Sequence, residues 1–451
     1  MNKRILGLAL PNIITNVTVP LLGMVDTAIM GHLSAEHLGG ITIGTQIFNL
    51  IYWNFGFLRM GTSGLTAQAY GARDMDQAVR TFLRAILIAL AVATLLIALQ
   101  WPLGELSKII FEASPVVVSL ALQYFFVRIW AAPATLGLYA IKGWFIGMQN
   151  SRLPMWIAIF LNVVNILCSL LFVLVFHWGI RGVALGTVIA QYSGLAAGIF
   201  FVAKKYGHLF GSYLRRNSLR DALQWTEMRR FFKVNADIFL RTVCLALVFT
   251  YITRASGEIS DQVLAIDALL LQFFTLFSYI MDGFAYAGES LVGRYIGAHD
   301  APSLHRAVNL LLVWGLILTV AFTLIYALTG EWILRIFSDQ DEIIAGAKPY
   351  LFWTLVIPVC GFAAFLFDGI FVGATASRTM RNCMFVATVA FFAVYFALRA
   401  WLLPHYTQHG VQAWQQAWNN ILWVAFMVFL TLRGLLQALT LKTSVYNQIQ
   451  Q

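Results

Sequence analysis

Asp26 is the lone carboxylate in the first membrane-length apolar stretch of the chain, within Val25-Asp26-Thr27-Ala28-Ile29-Met30-Gly31-His32-Leu33. An ionised acid in hydrocarbon persists only where it is paired, faces water or is protonated, so an acid in such a stretch marks a functional site by default. Burial disfavours its charged form, which suits the group to carrying a proton. The alternative is a structural acid satisfied by neighbouring helices.

Other charged residues fall inside apolar stretches. Asp237 and Arg241 are spaced for an i, i+4 intrahelical pair. Asp282 and Glu289 are two helical turns apart on one face, and with Arg59 and Asp368 they form either a gate network or a buried scaffold. Asp267 and Arg399 have no assigned role. Asn49, Tyr52, Trp53 and Asn54, with Tyr139 and Tyr192, are candidates to line a cavity. Their aromatic faces could hold organic cations at about 0.5–2 kcal/mol per contact. The polar run Gln412–Asn420 reads as water- or cavity-facing helix. Pro11 and Pro20 lie fifteen and six residues before Asp26, and each frees a backbone carbonyl and permits a bend, giving either a hinge or a static kink.

Catalytic and metal-binding constellations are missing from the sequence. There is no His-Glu-x-x-His, no Gly-x-Ser-x-Gly and no phosphate-cradling loop. Cys168, Cys244, Cys360 and Cys383 lie at unrelated spacings in apolar stretches and read as small core residues. The chain is therefore not read as an enzyme, and no cofactor or metal is expected.

The elements that must position these residues are membrane helices. Of 451 residues, 60% are hydrophobic and 11% charged, against about 25% charged in soluble domains. The net charge of +10 follows membrane topology and is not a nucleic-acid footprint. With about 20 apolar residues per crossing, twelve spans are expected, at 5–31, 39–68, 82–104, 116–147, 154–177, 180–203, 231–254, 262–290, 305–329, 345–373, 381–403 and 411–439. Alternate loops then carry most of the basic residues, among them Arg73, Arg152, Lys204, Lys205, Arg215, Arg216, Arg220, Arg229, Arg230, Arg294, Arg306, Arg378 and Arg381. The other loops hold most of the acids, including Glu36, Glu105, Glu112, Glu258, Asp261, Glu331, Asp339, Asp341 and Glu342. The positive-inside rule places the basic loops and both termini in the cytoplasm.

The two halves repeat at a constant offset of 226 residues. Gly143, Gly147, Ser151 and Arg152 recur as Gly369, Gly373, Ser377 and Arg378, and Gly71-Ala72-x-Asp74 recurs as Gly297-Ala298-x-Asp300. The expected fold is all-α, with two six-helix lobes, 1–203 and 231–451, joined by a basic connector, 204–230, and related by a pseudo-two-fold along the membrane normal. Asp26 corresponds to Ile252, so the coupling chemistry is expected to be asymmetric.

The chain resembles the MATE (multidrug and toxic compound extrusion) transporters, DinF-like branch. The resemblance rests on Val25–Leu33, Phe55–Gln68, Asn235–Arg241, Met281–Ala287 and Asp368–Ala374, and it covers nearly the whole chain. It implies secondary antiport, in which cations enter down their gradient while organic, often cationic, molecules leave. It implies that Asp26 is the coupling acid, with Asn165 and Thr187 as the polar residues around it. Ser169 stands where the family commonly has a second acid, which shifts the expectation toward protons and away from a two-carboxylate sodium site. Lys142 stands where relatives often have a neutral residue. It either snorkels to the headgroups or partners Asp26 or Asp368, favouring the ionised acid.

The sequence reading is thus a proton-driven exporter of drug-like compounds, monomeric, in the bacterial inner membrane. Sodium coupling and flipping of a lipid-linked precursor are the rivals. A flippase would be expected to present a more cationic cavity for phosphate-bearing headgroups.

Overall fold

The computed structural model describes residues 1–110, 113–217, 221, 223–406 and 410–449. Glu112, Arg220, part of the connector and part of the break before Gly410 lie outside the described residues. The described chain is helical throughout. The first half comprises α1 (Asn2–Gly31), α2 (Ala35–Asn54), α3 (Phe57–Gly71), α4 (Met75–Ala98), α5 (Gln100–Ile110), α6 (Pro115–Arg128), α7 (Ala132–Gly147), α8 (Arg152–Leu170) and α9 (Gly179–Arg216). The second half comprises α10 (Trp225–Ile259), α11 (Asp261–Gly297), α12 (Ala301–Phe337), α13 (Asp341–Ala347), α14 (Leu351–Gly373), α15 (Ser377–Tyr406) and α16 (Val411–Ser444).

Eleven helical stretches among the described residues are long and apolar enough to cross a membrane. The remaining expected span, 39–68, is not one helix. It breaks at Phe55 and Gly56, whose amides turn back to the Tyr52 and Trp53 carbonyls, leaving α2 and α3 as separate segments. Asn54 assists the break by folding its Nδ2 back onto the Leu50 carbonyl at 2.7 Å. Arg59, one turn past the break, is thereby carried on the short α3. The span 116–147 is likewise interrupted, by a 3₁₀ turn at Ile129–Ala131 just ahead of Pro133.

Some helix starts are fixed by side-chain caps, and two of these are related by the repeat. Asp74 and Asp300, repeat equivalents, accept from the Gln77 and Ser303 amides at 2.8 and 3.1 Å. The preceding Arg73 and His299 both take positive φ, 58° and 52°. The same equivalence holds at Gln149 and Thr375, with φ of 61° and 52°. The repeat read in the side chains is thus also a repeat of the backbone.

The helices of the two halves meet most closely where small residues allow it. Gly71 lies against the Arg294 carbonyl, and its equivalent Gly297 against the Gln68 carbonyl, so a side chain at either position would collide with backbone. Such close backbone approach is how helices associate where lipid removes the hydrophobic drive. Both ends of the described chain lie at this same end. Arg4 Nη1 donates to the Tyr295 hydroxyl at 3.4 Å, and Tyr446 stacks on His305 with centroids 4.0 Å apart.

Candidate functional site

Asp26 lies near the far end of α1 and is 2% exposed. The helix runs unbroken from Asn2 to Gly31 through both Pro11 and Pro20. α8 brings Asn162, Asn165 and Ser169 to one face by their i, i+3, i+7 spacing, and α9 brings Thr187. Ser169 Oγ donates to Asp26 Oδ1 at 3.0 Å. Thr187 Oγ1 lies 3.3 Å from Asp26 Oδ2 and 3.1 Å from the Val183 carbonyl, and it accepts from Asn165 Nδ2 at 3.1 Å. A π-helical turn, Leu171–Val175, begins two residues after Ser169. Among the described residues Asp26 forms no ion pair.

Counting hydrogens gives this cluster chemical meaning. The Thr187 hydroxyl has one proton and faces two acceptors, the Val183 carbonyl and Asp26. With Asp26 protonated, its Oδ2–H fills the Thr187 contact and Thr187 donates to Val183. With Asp26 ionised, Thr187 must turn to the carboxylate. The cluster accommodates both states by rotating one hydroxyl.

Lys142 does not belong to this network, which corrects the expectation that it partners Asp26 or Asp368. Among the described residues it has no ion-pair partner, and the charge acting on it is that of Arg59. The cation whose charge reaches Asp26 is Arg128, a residue not singled out in the sequence. Lys142 lies fourteen residues further along the same span, roughly 20 Å toward the other end of a helix. Arg128 Nη1 donates to the Tyr124 hydroxyl at 2.6 Å, and its guanidinium sits 4.7 Å from the Phe48 ring centroid. Its charge also acts on Tyr52, which is buried, and Tyr139, which is half-buried. Asn49 and Trp53 are exposed, Trp53 meeting Phe249 of the other half at 6.5 Å between centroids. Asn54 is half-buried and holds its own helix. The Tyr192 hydroxyl is exposed and donates to the Trp130 carbonyl at 2.9 Å.

The expected charge network divides in two. Arg59 forms a bidentate pair with Glu289 across the halves, at 2.9 and 3.2 Å, and Ser63 Oγ donates to the same carboxylate at 2.5 Å. Tyr286 lies under the Arg59 guanidinium at 4.0 Å. Asp282 is half-buried on the same helix, within reach of the Arg59 charge but outside hydrogen-bonding contact. Asp368 is instead held inside the second half by Arg241, by Arg433 at 2.6 Å and by Gln437 at 2.8 Å.

The expected intrahelical Asp237–Arg241 pair is absent. Arg241 turns to Asp368, while Asp237 takes Arg381 at 2.6 Å and Ser377 at 3.0 Å. The i, i+4 spacing permits a local pair, but each charge is instead neutralised by a partner on another helix, buried Asp368 for Arg241 and half-buried Arg381 for Asp237.

A family model described as MatE matches residues 11–171 and 238–397. The two matches are offset by 227 residues at their starts and 226 at their ends, in keeping with the repeat. The DNA damage-inducible protein F of Escherichia coli (strain K12) is 36% identical to this chain, covering 96% of it and 90% of its own length. Among solved structures, one described as MATE in the bent conformation superposes with a TM-score of 0.81 at 18% identity, covering 98% of this chain and 97% of that one. A second is described as the outward-facing conformation of a multidrug resistance MATE family transporter of the MOP superfamily. It also gives a TM-score of 0.81, at 17% identity, covering 100% and 97%.

Proposed function

Because this chain belongs to the MatE family of membrane transporters, we propose that it is a secondary antiporter exporting organic, cationic or amphiphilic drug-like compounds in exchange for protons. Asp26 is the coupling acid. The observation that carries this reading is the buried carboxylate framed by Ser169, Thr187 and Asn165 with no ion-pair partner among the described residues. An ionised acid there, without a close counter-charge, costs several kcal/mol. A proton removes that cost, and an exchange cycle needs a group that holds either a proton or the substrate's positive charge, but not both.

The export cavity in this reading lies beside Asp26, with Tyr52, Tyr139, Asn49, Trp53 and Asn54 as candidate lining and Arg128 on its wall. Arg59, Glu289 and Ser63 close the opposite end. Asp237, Arg241 and Asp368 serve as scaffold, and Pro11 and Pro20 let α1 bend during the cycle. The halves 1–203 and 231–451 move as two lobes about the connector 204–230, in a monomer in the bacterial inner membrane with both termini in the cytoplasm. The relatives' naming for multidrug resistance and the MATE fold support this reading.

Sodium is disfavoured as the coupling ion because a hydroxyl, Ser169, faces Asp26 where a second carboxylate would be needed to build a strong cation site. The test is efflux of a fluorescent organic cation from proteoliposomes under independently imposed pH and sodium gradients. Efflux is expected to follow the pH gradient alone. Efflux driven by sodium at zero pH gradient overturns the proton reading.

A further inference from the structure

Asp267 of α11 is 2% exposed and takes part in neither network described above. Its Oδ1 accepts from Asn419 Nδ2 at 2.9 Å and from the Trp423 indole N–H at 2.8 Å, two residues one turn apart on α16. Its Oδ2 lies 2.5 Å from Ser256 Oγ of α10. Among the described residues no lysine or arginine pairs with it.

Ser256 Oγ also lies 2.9 Å from the Ile252 carbonyl, which can only accept. The serine has one hydrogen for two acceptors. If it serves Ile252, the hydrogen between Ser256 and Oδ2 must come from the acid. Oδ1, which faces the unambiguous indole donor, is then the carbonyl oxygen with both lone pairs filled. With Asp267 neutral, its own hydrogen, its Oδ1 and the Ser256 hydrogen each have a partner, and no buried charge remains to be compensated.

Ile252 is also the repeat equivalent of Asp26, 226 residues on. The second half thus places an acid beside the backbone position where the first half carries its own, but supplies it from α11 instead of the first helix of the repeat. The hydroxyl between a helical carbonyl and a carboxyl oxygen recurs too, as Thr187 in one half and Ser256 in the other.

We propose that Asp267 is a second proton-binding site, holding its proton on Oδ2 within a frame of Ser256, Asn419 and Trp423. On ionisation the Oδ2–H bond breaks, the proton passes to water, and the Ser256 hydroxyl turns from Ile252 onto Oδ2.

The titratable and charged groups on the surrounding elements leave that role open. Tyr350, in the 3₁₀ turn before α14, faces Asn419. Tyr326 of α12 gives its hydroxyl to the Phe273 carbonyl. Tyr395 of α15 accepts from Trp418, and Arg399 stacks on the Trp418 ring at 4.4 Å. Tyr251 of α10 packs on Tyr395.

The test is infrared difference spectroscopy of the purified full chain at neutral pH, reading the C=O stretch of protonated carboxylic acids. Asp267→Asn is expected to remove one band that Asp26→Asn leaves in place. A spectrum in that region unchanged by Asp267→Asn overturns the proposal. If Asp267→Asn does not fold, Ser256→Ala decides. It deprives the acid hydrogen of its acceptor and must move the band to higher frequency, whereas an ionised Asp267 leaves the region unmoved and the proposal fails. The readout needs no transport, so it stands or falls apart from the role of Asp26.

Discussion

Ser63 and Glu289 are repeat equivalents, 226 residues apart, and they hydrogen-bond to each other at 2.5 Å. Equivalent positions of two halves can touch only where the axis relating those halves passes between them. The contact therefore marks the pseudo-two-fold axis in α3 and α11. Around it the contacts come in related pairs. Gly143 abuts Arg59 and Gly369 abuts Ala285; Gly71 abuts Arg294 and Gly297 abuts Gln68. One asymmetric feature is set on this symmetric seam. Arg59, whose equivalent is Ala285, pairs with the Glu289 that Ser63 also contacts.

Glu289→Gln is expected to loosen this end of the molecule. Breaking a buried pair by removing one partner costs about 3–5 kcal/mol, and Arg59 would lose its bidentate acceptor. Spin labels at Ala72→Cys and Ala298→Cys, both exposed beside the seam, should report a new longer-distance population in the Glu289→Gln background. A distance distribution identical to that of the unmutated seam would show that the pair does not hold the end closed.

Gly297→Val should block closure without unfolding either half. The added side chain meets the Gln68 backbone carbonyl, which cannot move aside as a flexible side chain would. The variant should insert and bind detergent normally, lose transport, and give the longer label distance constitutively. Normal transport by this variant would mean that the seam is not required to close as tightly as observed.

Asp368→Asn is expected to destabilise the second half by about 3–5 kcal/mol, because it leaves Arg241 and Arg433 buried without their shared acceptor. Thermal unfolding in detergent measures this, and the loss should exceed that from Asp282→Asn, whose carboxylate makes no hydrogen bond among the described residues. Equal stability losses would contradict the division of the charge network into a held scaffold and an open acid.

What could be read from the sequence depended on whether partners share a helix or a repeat. Asp26, Asn165, Ser169 and Thr187 were legible because spacing and family resemblance point to them, and the structure brings all four within hydrogen-bonding distance of one another or of a shared partner. Arg128 carries the same signal as Asp26, a charge inside an apolar span, and that signal was the way to find it. Lys142 misled because its position along the span relative to Asp26 depends on how far α7 is shifted against α1, which no local pattern records. Arg241 misled because its partner, Asp368, is 127 residues away. Asp267 stayed unassigned for the same reason, since its indole donor, Trp423, lies 156 residues on. The break at Phe55–Gly56 was masked by unbroken hydrophobicity, although Asn54 and Gly56 are residues that end helices.

Lys142→Gln is expected to leave the ion dependence of transport unchanged, since Arg59, and not Asp26, is the charge it meets. The comparison is Arg128→Gln, which removes the cation acting on Asp26 and should alter the pH profile of efflux. A profile moved by Lys142→Gln and untouched by Arg128→Gln would reverse the assignment.

The exchange cycle proposed here turns on Asp26 trading a proton for substrate. It is tested most directly by following substrate-dependent proton movement in proteoliposomes carrying the wild-type chain or Asp26→Asn, with insertion and folding matched. Asn keeps the size and most of the hydrogen bonding to Ser169 and Thr187 but cannot gain or lose a proton. Adding an exported organic cation should move protons across wild-type vesicles and none across Asp26→Asn vesicles, with proton-driven efflux abolished. Proton-coupled efflux by well-inserted Asp26→Asn protein at the wild-type rate would contradict it.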